Sequence, residues 1–189
     1  MRRGRKNFRR DTRGTAAVEF ALLLPVMVIT LFGALESTEL ISANRAAEKA
    51  AAALADVSAR YTIMTGQQIC DVLFGTTVVA DPDSPLDLQM RLTSINVDDN
   101  AVARVEFSAI QGTGFASLPQ GTIITNDVPL NLRETSLQSP IMRAELMLTY
   151  RPTFVFLFAP SFTLRHVEYR RPRLASVVPR SGTTSPCGA

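Results

Sequence analysis

The sequence predicts an α+β fold: one long N-terminal helix packed on an antiparallel β-sheet head. Two observations carry this. Residues 15–35 form a 21-residue apolar stretch whose single charge is Glu19, and helical spacing then continues without a break to Tyr61. Later segments instead alternate apolar and polar residues with period two, at about 86–92, 101–109, 142–150 and 163–169.

Composition narrows the function classes. At 189 residues and 46% apolar content the chain is too apolar for disorder, and its length suits one compact domain or one domain with an appendage. His166 is the single histidine, accompanied by two cysteines, which excludes zinc-finger, iron–sulfur and His-cluster sites. Charge is unevenly placed. Residues 1–14 hold seven bases (Arg2, Arg3, Arg5, Lys6, Arg9, Arg10, Arg13) against Asp11, whereas the chain as a whole carries only +3. A basic leader of this kind is compatible with nucleic-acid binding. The apolar stretch directly behind it argues against that partner.

As a helix, residues 15–35 would span about 32 Å, enough to cross a bilayer core. A basic block before such a helix reads as a cytoplasmic anchor, with the remainder on the other side of the membrane. The alternative is a secretory signal peptide. The stretch is longer than a typical signal core and lacks a clear small-x-small cleavage site, which favours the anchor. Glu19 is costly inside a membrane unless a cation pairs with it or it reaches the interface. Pro25 removes one backbone donor, giving either a flexible point or a tolerated kink.

The helix is expected to extend to residue 62. Leu40, Ala43, Ala47, Ala50, Leu54, Val57 and Tyr61 form a stripe that packs on the head or on another helix. Thr65 and Gln68 have capping-box spacing for a short helix over 66–74 that stops at Gly75. Asp81–Pro85 is a loop. Leu86, Leu88, Met90 and Leu92 alternate, and the apolar phase then slips to Ile95 and Val97, suggesting a bulge near Thr93 and Ser94. A turn at Asp98, Asp99 and Asn100 leads to the second hairpin arm, Ala101 to Ala109, and a loop covers about 111–121. Met142–Tyr150 and Thr163–Tyr169 complete the sheet. The expected organisation is thus a leader (1–14), a membrane helix (15–35), its amphipathic extension (36–62), a head (63–173) and a tail (174–189).

Around the start of the helix, Gly14 followed by Thr15-Ala16-Ala17-Val18-Glu19-Phe20 resembles the processing site of type IV pilins. The resemblance is closest to the pseudopilin branch of the tight-adherence (Tad, Flp) system. The run Ala17–Leu22 with Pro25 is similar to the start of TadE-like and TadG-like proteins. Leu148–Pro152, Phe162–Leu164 and Tyr169–Arg173 resemble strands and the arginine–proline tail of TadE-like proteins. The resemblance implies a type IV pilin-like head and cleavage between Gly14 and Thr15 by a membrane-embedded aspartyl prepilin peptidase. Glu19, with Phe20 beside it, would then pair with the new amine of Thr15 on its own or a neighbouring subunit. Implied partners are that peptidase, other Tad pilins or pseudopilins, the inner-membrane assembly platform and the lipid bilayer. The chain would be single-pass, with a cytoplasmic N-terminus and a periplasmic head.

Three further features remain open at this level. Cys70 and Cys187 either form one disulfide in an oxidising periplasm or are unrelated thiols. Phe154, Phe156 and Phe158 lie in an apolar run through Pro160 that is either a buried hairpin end or a docking patch for a partner subunit or membrane. Asp98 and Asp99 suit a turn better than a cation site. His166 lacks a nucleophile or second histidine at useful spacing. No catalytic residue, cofactor or metal is expected.

Overall fold

The computed structural model describes residues 14–80, 88–154, 161–173 and 179–181. Helix α1 runs Thr15–Ser58, passing through Pro25. The two-residue strand β1 (Met64–Thr65) and helix α2 (Gly66–Ala80) follow. The sheet comprises β2 (Leu88–Val97), β3 (Ala103–Gln111), β4 (Pro140–Tyr150) and β5 (Phe162–Arg170), in the spatial order β3-β2-β4-β5. All its pairings are antiparallel. A one-turn helix, α3 (Leu130–Glu134), precedes β4, and β6 (Arg180–Ser181) lies parallel to β1. The expected α+β arrangement of a long helix on an antiparallel sheet is therefore present.

The sheet is covered on both faces. Met90, Leu92, Phe107, Met142, Ala144, Leu146 and Leu148 turn one face toward Ala47, Ala50, Ala51, Leu54 and Ala55 of α1 and Ile69 and Leu73 of α2. The small alanines allow the helix backbone to approach the strands closely. On the other face Ile95, Val97, Ala103, Val105 and Ile141 pack with Ile124 and Val128, which come from the segment between β3 and β4.

This second core explains the apolar phase slip in β2. The strand pairs with β4 in unbroken register, so Leu92 serves one face and Ile95 the other. A register shift does fall between Ser94 and Ile95, as the slip suggests, but the extra residue belongs to β3: Ser94 pairs with Phe107 and Ile95 with Val105, leaving Glu106 over.

Other boundaries differ from expectation for identifiable reasons. α1 ends at Ser58 rather than at 62, where the chain must turn into β1. Its buried stripe includes Ala51, Ala55 and Ser58, while Val57 stays exposed. α2 continues through Gly75 to Ala80 because Thr76, Thr77 and Ala80 are buried beyond it. Added burial outweighs the roughly 1 kcal/mol that a helical glycine costs. The capping box forms as the spacing predicts: the Gln68 N–H donates to Thr65 Oγ1 at 3.2 Å and the Thr65 N–H to Gln68 Oε1 at 2.9 Å. At the β2–β3 turn Asp98 Oδ1 accepts the N–H groups of Asn100 and Val102, each at 2.9 Å, which gives that aspartate a structural task.

Candidate functional site

The residues singled out at the chain start share one environment. Gly14 is the helix N-cap, and a Cβ added there would meet nothing within 4 Å. From Gly14 to Leu31 every residue is exposed, including Thr15, Glu19, Phe20 and Pro25. Among the described residues Glu19 has no ion-pair or hydrogen-bond partner, and its side chain is exposed. Thr15 and Glu19 are four residues apart, which puts them on one face of α1, about one turn from each other. Residues 1–13, which include most of the basic leader, lie outside the described residues.

The polar groups deeper in the bare half turn inward on their own backbone. Thr30 Oγ1 donates to the Val26 carbonyl at 2.7 Å, and just past the stretch Ser37 Oγ donates in the same way to the Gly33 carbonyl at 2.7 Å. The Thr30 bond satisfies a hydroxyl that hydrocarbon would leave unpaired. The helix is the only described one long and apolar enough to cross a membrane.

Where the apolar stretch ends, Glu36 joins the helix to the head. Its side chain is buried, and Oε1 accepts the Tyr150 hydroxyl at 2.5 Å and the Thr153 N–H at 3.3 Å. Oε2 accepts the Phe154 N–H at 3.3 Å. Burial and the Glu36 carboxylate beside it push the Tyr150 phenol well above its ordinary range. One turn down the helix, the Phe32 ring meets the Phe154 ring at 4.4 Å between centroids, tilted by 42°. Phe154 thus contacts the apolar stretch itself, whereas Phe156 and Phe158 lie outside the described residues. Sequence reasoning missed Glu36. The available signal was an acid directly after an apolar run, with an aromatic-x-Pro strand end to receive it.

A second missed cluster stabilises the head. Glu145 is fully buried on the sheet's outer face and accepts Arg91 Nε at 2.5 Å and one Nη2 each from Arg143 and Arg165 at 2.9 Å. Burial alone would raise this carboxyl, but the hydrogen bonds from Arg91 and Arg165 and the charges of Arg143 and Arg91 outweigh it and hold the group below its ordinary range. The Phe115 ring lies 5.2 Å from the Arg91 guanidinium carbon and 5.6 Å from that of Arg165. The loop carrying Phe115 needs glycine at 112, where φ is +83° and a Cβ would collide with the Gln89 side chain.

His166 contacts Asn44 Oδ1 of α1 through Nε2 at 3.1 Å, a packing role between sheet and helix. Cys70 sits half-buried on α2 and is not a free thiol. Cys187 lies outside the described residues. Among the described residues no group of three or more His, Cys, Asp or Glu side chains is arranged to hold a metal.

The geometry defines a class: an α+β head carried on a helix whose first half is apolar on every side and long enough to cross a membrane. Comparison with known proteins finds a likeness confined to the helix. The family model described as TadE-like protein matches residues 14–56, from the helix N-cap almost to the end of α1. The match thus covers the bare half, Glu36 and most of the gripped half, and bears out the resemblance seen in the sequence around Gly14. It points to a part in Tad pilus assembly and agrees with membrane anchoring. No curated protein and no solved structure matches the chain.

Proposed function

We propose that the chain is a pseudopilin or minor pilin that acts structurally, not catalytically, in Tad (Flp) pilus assembly. In this reading the bare half of α1 crosses the inner membrane, the leader is cytoplasmic and the head is periplasmic. A prepilin peptidase cuts between Gly14 and Thr15. The observation that supports it most is the pairing of an unobstructed Gly14 with Thr15 and Glu19 on one exposed helix face. Cleavage creates an ammonium group at Thr15 within a turn of an ionised Glu19. A charge paired at the membrane edge costs far less than one left alone there. The same exposed face serves equally for pairing with the Thr15 amine of a neighbouring pilin, and the assembly platform is the further partner. Removal of the leader also deletes the positive charges that hold the N-terminus at the cytoplasmic side.

A Cys70–Cys187 disulfide fits the same compartment. Its support is that Arg180 and Ser181 pair with Met64 and Thr65, directly before the helix that carries Cys70. Closing a loop of that length is worth roughly 4–5 kcal/mol on chain-entropy models.

The test is the N-terminal mass of the protein produced with and without a Tad-type prepilin peptidase. A mature chain beginning at Thr15 only when the peptidase is present supports the reading, and Gly14→Leu should then retain the leader. An intact Met1 in both cases overturns it in favour of a permanently anchored, unprocessed periplasmic accessory protein.

A further inference from the structure

We propose that the end of β4 forms a second contact with the membrane, seated by Glu36 beside the helix that crosses it. This rests on the reading that residues 15–35 span a bilayer. The last residue of that stretch is Leu35, and Phe32 lies about 4.5 Å further in along the axis. Phe154 packs on Phe32, so its ring sits at the depth of the outer hydrocarbon boundary. Backbone amides brought to that depth need partners within the protein, because water is scarce and each unmet group costs several kcal/mol. Glu36 meets this need. It accepts the N–H groups of both Thr153 and Phe154, and the Tyr150 hydroxyl supplies the third bond. A buried carboxylate with one phenol and two amides as partners is a device for holding this piece of backbone at this height.

The occupant of the patch is the lipid of the membrane the helix crosses. The Phe154 ring is continuous with the apolar helix through its contact with Phe32. Aromatic residues with one polar end, such as Tyr150, belong at that boundary. The head then touches the bilayer at two points, the helix and the end of β4, which fixes its tilt.

The chain has no tryptophan, so a single introduced Trp reports its own depth. The full chain would be reconstituted in phosphatidylcholine–phosphatidylglycerol vesicles, with and without phosphatidylcholine brominated on the acyl chain. Leu23→Trp is the control within the span, and Ile63→Trp, beyond the far end of α1, is the control outside. Phe154→Trp is expected to be quenched strongly, as Leu23→Trp is, with Ile63→Trp unaffected. Ser161→Trp, at an exposed position beside the strand pair Tyr150–Phe162, serves if Phe154→Trp does not fold. Quenching at 23 with none at 154 and 161 overturns this inference and leaves the spanning helix standing. No quenching at 23 overturns the span and the inference with it. Adding Glu36→Ala to Phe154→Trp should reduce its quenching toward that of Ile63→Trp. Unchanged quenching removes Glu36 from the role.

Discussion

From Thr15 to Leu31 every side chain of α1 is exposed, whereas six of the twelve from Ala47 to Ser58 are buried against the sheet and α2. One backbone runs through both. The first half carries large aliphatic side chains on all sides, so no direction is preferred and the surrounding apolar phase must be supplied from outside. In the second half apolar bulk is reduced to alanines and Leu54 along one stripe, with charged and polar groups elsewhere, which selects the sheet as the partner. Helix formation itself says nothing about the solvent a helix will meet. The side chains decide it, and Glu36 stands at the change.

Substitutions that separate the two regions should differ in size accordingly. The largest effect lies wholly in the head. Glu145→Gln leaves three arginines around a neutral acceptor and should cost about 3 kcal/mol or more in urea unfolding. Acid should act through the same group. Its folded pKa lies below its ordinary value of 4.5, so the unfolded state takes up the proton first. The stability it supplies is complete above pH 4.5 and drains away as pH falls through the lowered folded value. Head melting temperatures measured from pH 7 to pH 3 check this.

Next comes Leu54→Ala in the gripped half, which empties a fully buried site and should lower unfolding free energy by about 2–5 kcal/mol. Glu36→Ala removes the acceptor of one phenol and two amides and should cost about 1–3 kcal/mol. The Tyr150 phenol should then also ionise at lower pH, read from absorbance at 295 nm. Smallest is Leu23→Ala. It should shift head stability by no more than about 0.5 kcal/mol while weakening membrane retention, and a loss as large as that of Leu54→Ala would erase the distinction between the halves.

Much of the head could be read in the sequence because strand alternation is a short-range signal. The hairpin at Asp98–Asn100, the pairing of Met142–Tyr150 with Thr163–Tyr169 and the Thr65–Gln68 cap all depend on neighbours in the chain or on regular spacing. The outer core could not be read the same way. Ile124 and Val128 lie in a segment without periodicity, and their value arises only once β2, β3 and β4 present Ile95, Val105 and Ile141 to them. Arg91 and Glu145 are 54 residues apart and become opposites only through strand register. Glu36 meets Tyr150 across 114 residues. At the candidate site the balance is reversed: Gly14, Thr15 and Glu19 are local and legible, and the clamp that holds the head above them is not.

The unbroken run of α1 also governs how the molecule bears tension. If the head is drawn outward, load enters the helix where the sheet grips it and passes toward Thr15 through backbone hydrogen bonds. Pro25 has no N–H to offer the Ala21 carbonyl, so one rung is missing there. A pull along the axis therefore meets one fewer hydrogen bond at the turn between Ala21 and Pro25 than at turns that keep every donor.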